Sequence, residues 1–253
     1  MVSGLSLVPG GGMVRGPAGT ADPARAGCAQ PVAGAIGERW RLPGDQGGDT
    51  AAATLAELFA CSPRDGGWAG FLLGQIDPGR PLLWVQERMA ILEGGRIHPP
   101  GFPFSDLIHV EARDARSALW AMEEGLRCAA IGAVIGEIWG DPAALDFTAT
   151  RRLAVAAERH GVAAYLVRLG GRANLSGARL RWRVASSPSL QHPLNPRAPG
   201  AAVWDAELFR ARGAAPGRWV ITNEPENGTA GGFHLVAAPA DRTLGETHLR
   251  HAG

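Results

Sequence analysis

Residues 131–167 have the sequence IGAVIGEIWGDPAALDFTATRRLAVAAERHGVAAYLV, and this stretch decides the fold class. It begins with a β-rich apolar run at 131–138 and ends with a second apolar run at 162–167. Between them, residues 148–160 have apolar side chains at helical spacing, and Gly161 follows at a position where many helices end. A strand, a helix and another strand in this order are typical of a parallel sheet covered by helices.

The same alternation extends toward the amino terminus. Apolar runs bounded by turn residues predict three more buried strands, at Leu55–Ala60, 82–85 and 107–110. Two helices are predicted between and after them, over residues 68–76 and 115–130, and Asp114 is a good N-cap for the second. The sequence therefore predicts an α/β domain around a parallel sheet.

The last third of the chain has a different pattern. Arg179, Arg181 and Arg183 alternate with Leu180, Trp182 and Val184, which predicts a half-exposed, antiparallel strand with its arginines on one face. A hairpin is predicted from residues 203–212 and 218–222, and a final strand from 233–237. The parallel sheet should thus be extended by antiparallel strands.

Composition and periodicity divide the chain into three predicted segments. Residues 1–49 contain 12 Gly and 5 Pro and lack periodicity, so we expect a disordered segment. Residues 50–238 should form the folded domain, and residues 239–253 a flexible tail.

The composition excludes several function classes. All 25 residues of the Lys+Arg total are Arg, so the chain has no lysine for a Schiff base, a pyridoxal phosphate anchor or a phosphate loop. The net charge of +1 gives no general attraction to nucleic acid or membranes. Three widely spaced cysteines and the lack of a long apolar run favour a reduced, cytoplasmic protein without a membrane span. No catalytic motif or metal-ligand spacing is present, so we expect no catalytic residues, cofactor or metal.

A phosphate loop would be expected at the first strand–helix junction, which contains Cys61, Gly66, Gly67 and Trp68. The motif G-x-x-x-x-G-K-[ST] can be aligned from residue 61 or 62, and either alignment lacks the first Gly, the Lys and the Ser/Thr. Asp65 would also repel a phosphate. We expect a loop that keeps the shape of a phosphate cradle without its chemistry.

Two acids and one basic region are further candidates. Glu87 and Glu137 lie where an ATPase keeps its catalytic acids, but hydrogen bonding at the strand ends is the favoured role without a phosphate clamp. Residues 168–218 contain nine Arg and two acids, with three tryptophans nearby. The arginine face of 179–183 could bind single-stranded DNA, an acidic protein partner or only solvent.

Four stretches of the chain are specific enough to indicate a family. They are LLWVQERMA at 82–90, ALWAMEEGLRC at 118–128, FTATRRLAVAAERHG at 147–161 and LSGARLRWRVAS at 175–186. Together they resemble the bacterial ImuA proteins. The order of elements also resembles the RecA-type core. The similarity extends over about residues 50–238.

The resemblance implies a RecA/SulA-related, RecA-like three-layer protein of the DNA-damage (SOS) response, associated with the nucleoid. Its implied partners in error-prone translesion synthesis are an ImuB-like protein, an error-prone C-family DNA polymerase and RecA, with single-stranded DNA as a further candidate. The missing lysine departs from orthodox RecA proteins and favours a non-catalytic adaptor. The alternatives are an atypical ATPase in which Arg64 replaces the lysine, and a SulA-like inhibitor of cell division.

Overall fold

The computed structural model describes residues 39–40, 53–101, 104, 106–223 and 233–236. Within them the chain forms four α-helices, which are α1 (Gly67–Leu73), α2 (Arg88–Gly94), α3 (Ala115–Leu126) and α4 (Phe147–His160). The same residues form ten strands: β1 (Arg39–Trp40), β2 (Leu55–Ala60), β3 (Leu82–Glu87), β4 (Leu107–Ala112), β5 (Ala133–Trp139), β6 (Ala163–Leu169), β7 (Leu180–Ser187), β8 (Val203–Ala211), β9 (Gly217–Thr222) and β10 (Phe233–Leu235). One 3-10 turn covers Pro99–Gly101.

All ten described strands belong to one sheet, in the order β1-β10-β9-β8-β7-β2-β6-β5-β3-β4. Neighbours from β7 to β4 run parallel, and neighbours from β7 to β1 run antiparallel. The predicted fold class is therefore confirmed: a parallel α/β sheet with an antiparallel extension, consistent with a RecA-like core.

The sheet separates two apolar cores, which gives the predicted three layers. Along β3, Leu82 and Trp84 face the core beneath α1 and α2, whereas Leu83 and Val85 face the core beneath α3 and α4. Because side chains alternate along a strand and both faces are covered, the central strands are continuous apolar runs rather than alternating ones.

Local sequence sets the starts and ends of the long helices. The carboxylates of Asp114 and Asp146 accept hydrogen bonds from backbone N–H groups three residues later, each at 2.7 Å, and so cap α3 and α4. Gly161 ends α4 in the left-handed conformation, with φ of 68°. Helix α3 ends at Leu126, earlier than the predicted 130, because the chain turns through Cys128, whose carbonyl accepts the N–H of Ile131.

Strand β7 differs most from its prediction. It lies inside the sheet, parallel to β2 and antiparallel to β8, so it is not the half-exposed strand that strict alternation suggested. The side that bears the arginines is covered by acidic and aromatic side chains of its neighbours, and Arg181 is only 3% exposed. Alternation marked the two faces of β7 correctly, but it did not show that neighbouring strands would cover both of them.

The predicted segments at the chain ends are only partly within the described residues. Arg39 and Trp40 pair with His234 and Phe233 of β10, although they belong to the stretch predicted to be disordered. The rest of 1–49 and the predicted tail 239–253 lie outside the described residues. None of the described helices has the length and apolar character that a membrane crossing requires.

Candidate functional site

The junction between β2 and α1 lies at the carboxyl edge of the sheet and is filled by its own carboxylate. Asp65 Oδ1 accepts the Gly67 N–H at 2.8 Å and the Ser186 hydroxyl at 2.6 Å. Asp65 Oδ2 accepts the Ser186 N–H at 2.8 Å. Two backbone N–H groups and one hydroxyl therefore converge on an internal anion, and they join this loop to the end of β7.

The other junction residues are packed closely against their neighbours. A Cβ on Gly67 would lie 2.4 Å from the Ser186 hydroxyl, so the two segments touch at this glycine. Trp68 is buried in the core beside Trp84, with ring centroids 6.1 Å apart. Cys61 is tied to β7 through its N–H, which donates to the Val184 carbonyl at 3.1 Å. The predicted positions Cys61, Gly66, Gly67 and Trp68 thus form a tight connection, and Gly66 immediately precedes α1.

Glu137 is a buried acid held by side-chain donors. Its carboxylate accepts from the indole N–H of Trp84 at 2.5 Å and from the amide of Gln86 at 3.1 Å. Burial raises the pKa of Glu137 to about 7, and the two hydrogen bonds oppose the rise. The Gln86 amide oxygen in turn accepts the Ile97 N–H and contacts His109 Nε2 at 3.0 Å. Glu137 therefore belongs to a closed hydrogen-bond network.

Glu87 has a related role at the end of β3. Its carboxylate accepts the backbone N–H of Trp139 at 2.9 Å, which links the ends of β3 and β5. Burial raises the pKa of Glu87, and the Trp139 hydrogen bond opposes the rise. Both acids make the structural hydrogen bonds that the sequence analysis favoured.

The three arginines of the predicted partner surface each have an acidic partner. Arg179 binds Glu158 with contacts of 2.5 and 3.1 Å, and both side chains reach solvent. Arg181 Nε donates to the buried Glu57 at 2.7 Å. Their neighbour Arg183 donates to Glu207 at 3.1 Å and is 37% exposed. Arg179 and Arg183 are thus the two members of this set that solvent reaches.

Arg181 belongs to a buried charge cluster that sequence reasoning missed. Glu57 also lies 3.7 Å from Arg168, and Arg168 binds Asp141 at 2.5 Å. The guanidinium groups of Arg168 and Arg181 lie over the Phe59 ring, at 5.5 and 5.3 Å from its centroid. Burial lowers the pKa of Arg168, and the acids Glu57 and Asp141 oppose this effect. The signal was present in the sequence, because a charged residue inside an apolar strand must find a partner.

The described part of the chain contains no candidate metal site. No three His, Cys, Asp or Glu side chains converge there as metal ligands. The fold and the junction together define an α/β protein, consistent with a RecA-like core, in which Asp65 accepts the hydrogen bonds of the first strand–helix loop.

Comparison with the sequences of known proteins identifies the family of the chain. Protein ImuA from each of two strains of Caulobacter vibrioides is 32% identical to the chain over 176 residues, which cover 66% of this chain and 70% of the relative. No protein-family model matches the chain. The chain belongs to the ImuA family, as the four sequence stretches predicted.

Proposed function

We propose that this protein is a non-catalytic adaptor of the bacterial SOS response. In this role it connects RecA with an ImuB-like protein and an error-prone C-family polymerase during translesion synthesis at the nucleoid. Membership of the ImuA family supports the pathway, and the Asp65 carboxylate inside the junction supports the lack of catalysis.

The charge of Asp65 and the N–H groups that already donate to it both oppose nucleotide binding in the β2–α1 loop. A phosphate loop binds its nucleotide through converging N–H groups and a lysine. Here the N–H groups of Gly67 and Ser186 already donate to Asp65, and the chain has no lysine. A phosphate entering the loop would meet a carboxylate of the same sign and lose the donors it needs. Arg64, the proposed substitute for the lysine, is an exposed residue of the loop.

Measurement of ATP hydrolysis by the full chain, with and without single-stranded DNA, tests the absence of catalysis. We expect turnover at background level in both conditions. A Gly66→Asp variant is the matched control, because a Cβ at Gly66 meets nothing within 4 Å and a second carboxylate there would disable any phosphate site at this position. Turnover by the wild type that disappears in this variant would establish an atypical ATPase instead.

Co-purification from one organism tests the adaptor role. The tagged protein should retain the ImuB-like protein and RecA, singly and together. Retention of the division tubulin in their place would support the SulA-like alternative, and retention of none of the three would reject the adaptor.

A further inference from the structure

A groove of about 560 Å³ lies at the edge of the sheet opposite the junction. Helix α4 forms one wall, the turn at 176–179 forms the floor, and the end of β8 forms the other wall. The position is fixed by pairing, since Leu180 at the start of β7 is opposite Ala211 at the end of β8. The groove is therefore separate from the Asp65 loop.

The α4 wall combines apolar and cationic side chains. Phe147 and Val155 are 39% and 49% exposed, and Arg151 lies midway between them in sequence. Because residues four apart share one face of a helix, these three side chains form a single stripe. Exposed apolar groups of this size beside a concave surface favour contact with another molecule.

The groove is strongly positive. Arg151, Arg210 and Arg212 are exposed, and none of them is bridged to a carboxylate within the described part of the chain. The fourth arginine at the groove, Arg179, is bound by Glu158, and the nearby charge of Arg212 also lowers the pKa of Glu158. The residues that line the groove include no acid, so the guanidinium groups of Arg151 and Arg210, and that of Arg212 in competition with Glu158, can bind carboxylates of a ligand.

The floor of the groove is preformed. The Gly177 N–H donates to the Thr150 hydroxyl at 2.9 Å, and a Cβ on Gly177 would lie 2.6 Å from the Cα of Arg151. The turn therefore packs directly on the α4 backbone. Because the floor is already ordered, this turn loses little conformational entropy when a ligand binds.

We propose that this groove docks an acidic segment of a partner protein, with one large apolar side chain packed against the exposed Val155 and the carboxylates bound by the arginines of the groove. Carboxylates match the paired donors of arginine, and the apolar side chain covers surface that a phosphodiester backbone would leave exposed. The inference rests on the proposed adaptor function and gives it a specific binding surface.

Fluorescence anisotropy with the full chain tests the groove. The probe is a labelled 14-residue peptide of Asp and Glu residues around a central Leu-Phe pair. Its matched control has Ser-Ser at the centre, and a 14-nucleotide single strand is the third ligand. We expect the double variant Arg210→Gln/Arg212→Gln to weaken binding of the probe at least tenfold at low salt. Val155→Ser should weaken it at least threefold, and Arg197→Gln, a change in an exposed loop outside the groove, should not affect it.

The outcomes separate the groove from the adaptor function. Circular dichroism of each variant must match the wild type. Absence of probe binding, equal binding of the Ser-Ser peptide, or tighter binding of the oligonucleotide with the same loss in the double variant would each reject an acidic-apolar docking site. Partner co-purification by the wild type without probe binding would reject the groove alone. Probe binding without any partner would reject the adaptor role.

Discussion

Glu137 and Gln86 show how single polar side chains are accommodated inside this sheet. Both lie within otherwise apolar strands. The side-chain amide of Gln86 in β3 donates hydrogen bonds to the carboxylate of Glu137 in the neighbouring strand β5. The sequence indicated that such residues need partners, because an unpaired polar group in a core is costly. It could not identify the partners, since Gln86 and Glu137 are 51 positions apart.

We predict that Glu137 makes stability fall as the pH rises from about 4.5 to about 7. In this interval the folded protein retains a proton that the unfolded chain has released, because the pKa of Glu137 is raised to about 7. The loss should be on the order of 3 kcal/mol, from 1.36 kcal/mol per pKa unit. Denaturant unfolding between pH 4.5 and 8 should show this decline in the wild type relative to Glu137→Gln.

The exposed Glu93 supplies the matched control, as Glu93→Gln should follow the wild-type profile. Parallel profiles for the wild type and Glu137→Gln would contradict the prediction.

At the scale of elements, β7 illustrates what periodicity can and cannot predict. The alternation placed Arg181 and Arg183 on one face and Trp182 on the other, and the structure has this arrangement. The burial of Arg181 depends on Glu57, 124 residues earlier, and on the position of β7 between β2 and β8. Local periodicity does not encode which distant strands pair. The prediction that Arg181 would be exposed was therefore wrong.

We predict unequal effects for two similar substitutions in β7. Arg181→Gln should lower the free energy of unfolding by about 3 kcal/mol, because it leaves the buried Glu57 without its closest cation. Arg183→Gln should cost less, about 1 kcal/mol, because Arg183 itself is 37% exposed, although its partner Glu207 is only 9% exposed. Urea denaturation of both variants measures the two free energies of unfolding. Equal decreases would show that the buried cluster around Glu57 contributes no more to stability than the Arg183–Glu207 pair.

We also predict that Asp65 stabilises the folded protein by joining the β2–α1 loop to β7. Asp65→Ala removes three hydrogen bonds to a carboxylate, two of them to β7, and should cost about 2 kcal/mol. Asp77→Ala is the control, because the Asp77 carboxylate accepts a local hydrogen bond from the Gly79 N–H, and its loss should cost about 1 kcal/mol or less. Thermal or urea unfolding measures both, and a smaller loss for Asp65→Ala would argue against the link to β7.

For the whole molecule, the sequence predicted most of the architecture and little of the site. The strands of the parallel part and the helices α1, α3 and α4 were recognisable because each is a continuous apolar or amphipathic segment. The short helix α2 (Arg88–Gly94) between β3 and β4 was not predicted. The hairpin of β8 and β9 was recognisable from the Gly- and Pro-containing turn at 213–217. The Asp65 contacts were not predictable, because Ser186 lies 121 residues away and reaches the loop only through the β2–β7 pairing.

We predict that the Gly- and Pro-rich amino-terminal stretch contributes little to global stability. Deletion of residues 1–36 should change the thermal midpoint by less than about 5 °C, because the segment has few large apolar residues to bury. Deletion of 1–45 also removes β1, whose two residues pair with β10, and should remain within the same limit. Calorimetry of both truncated chains is the measurement, and a larger drop in the first would show that this stretch packs on the domain.

The carboxylate of Asp65 has a consequence for timing. In a nucleotide-driven protein, hydrolysis acts as a clock, since each cycle of loading and cleavage resets the molecule. Under the proposed function, a loop that holds its own carboxylate in place of a nucleotide has no such clock and no spent state from which to recover. Under the proposed function, the duration of a mutagenic episode would therefore be set by how much of this protein the cell makes and how quickly it is degraded.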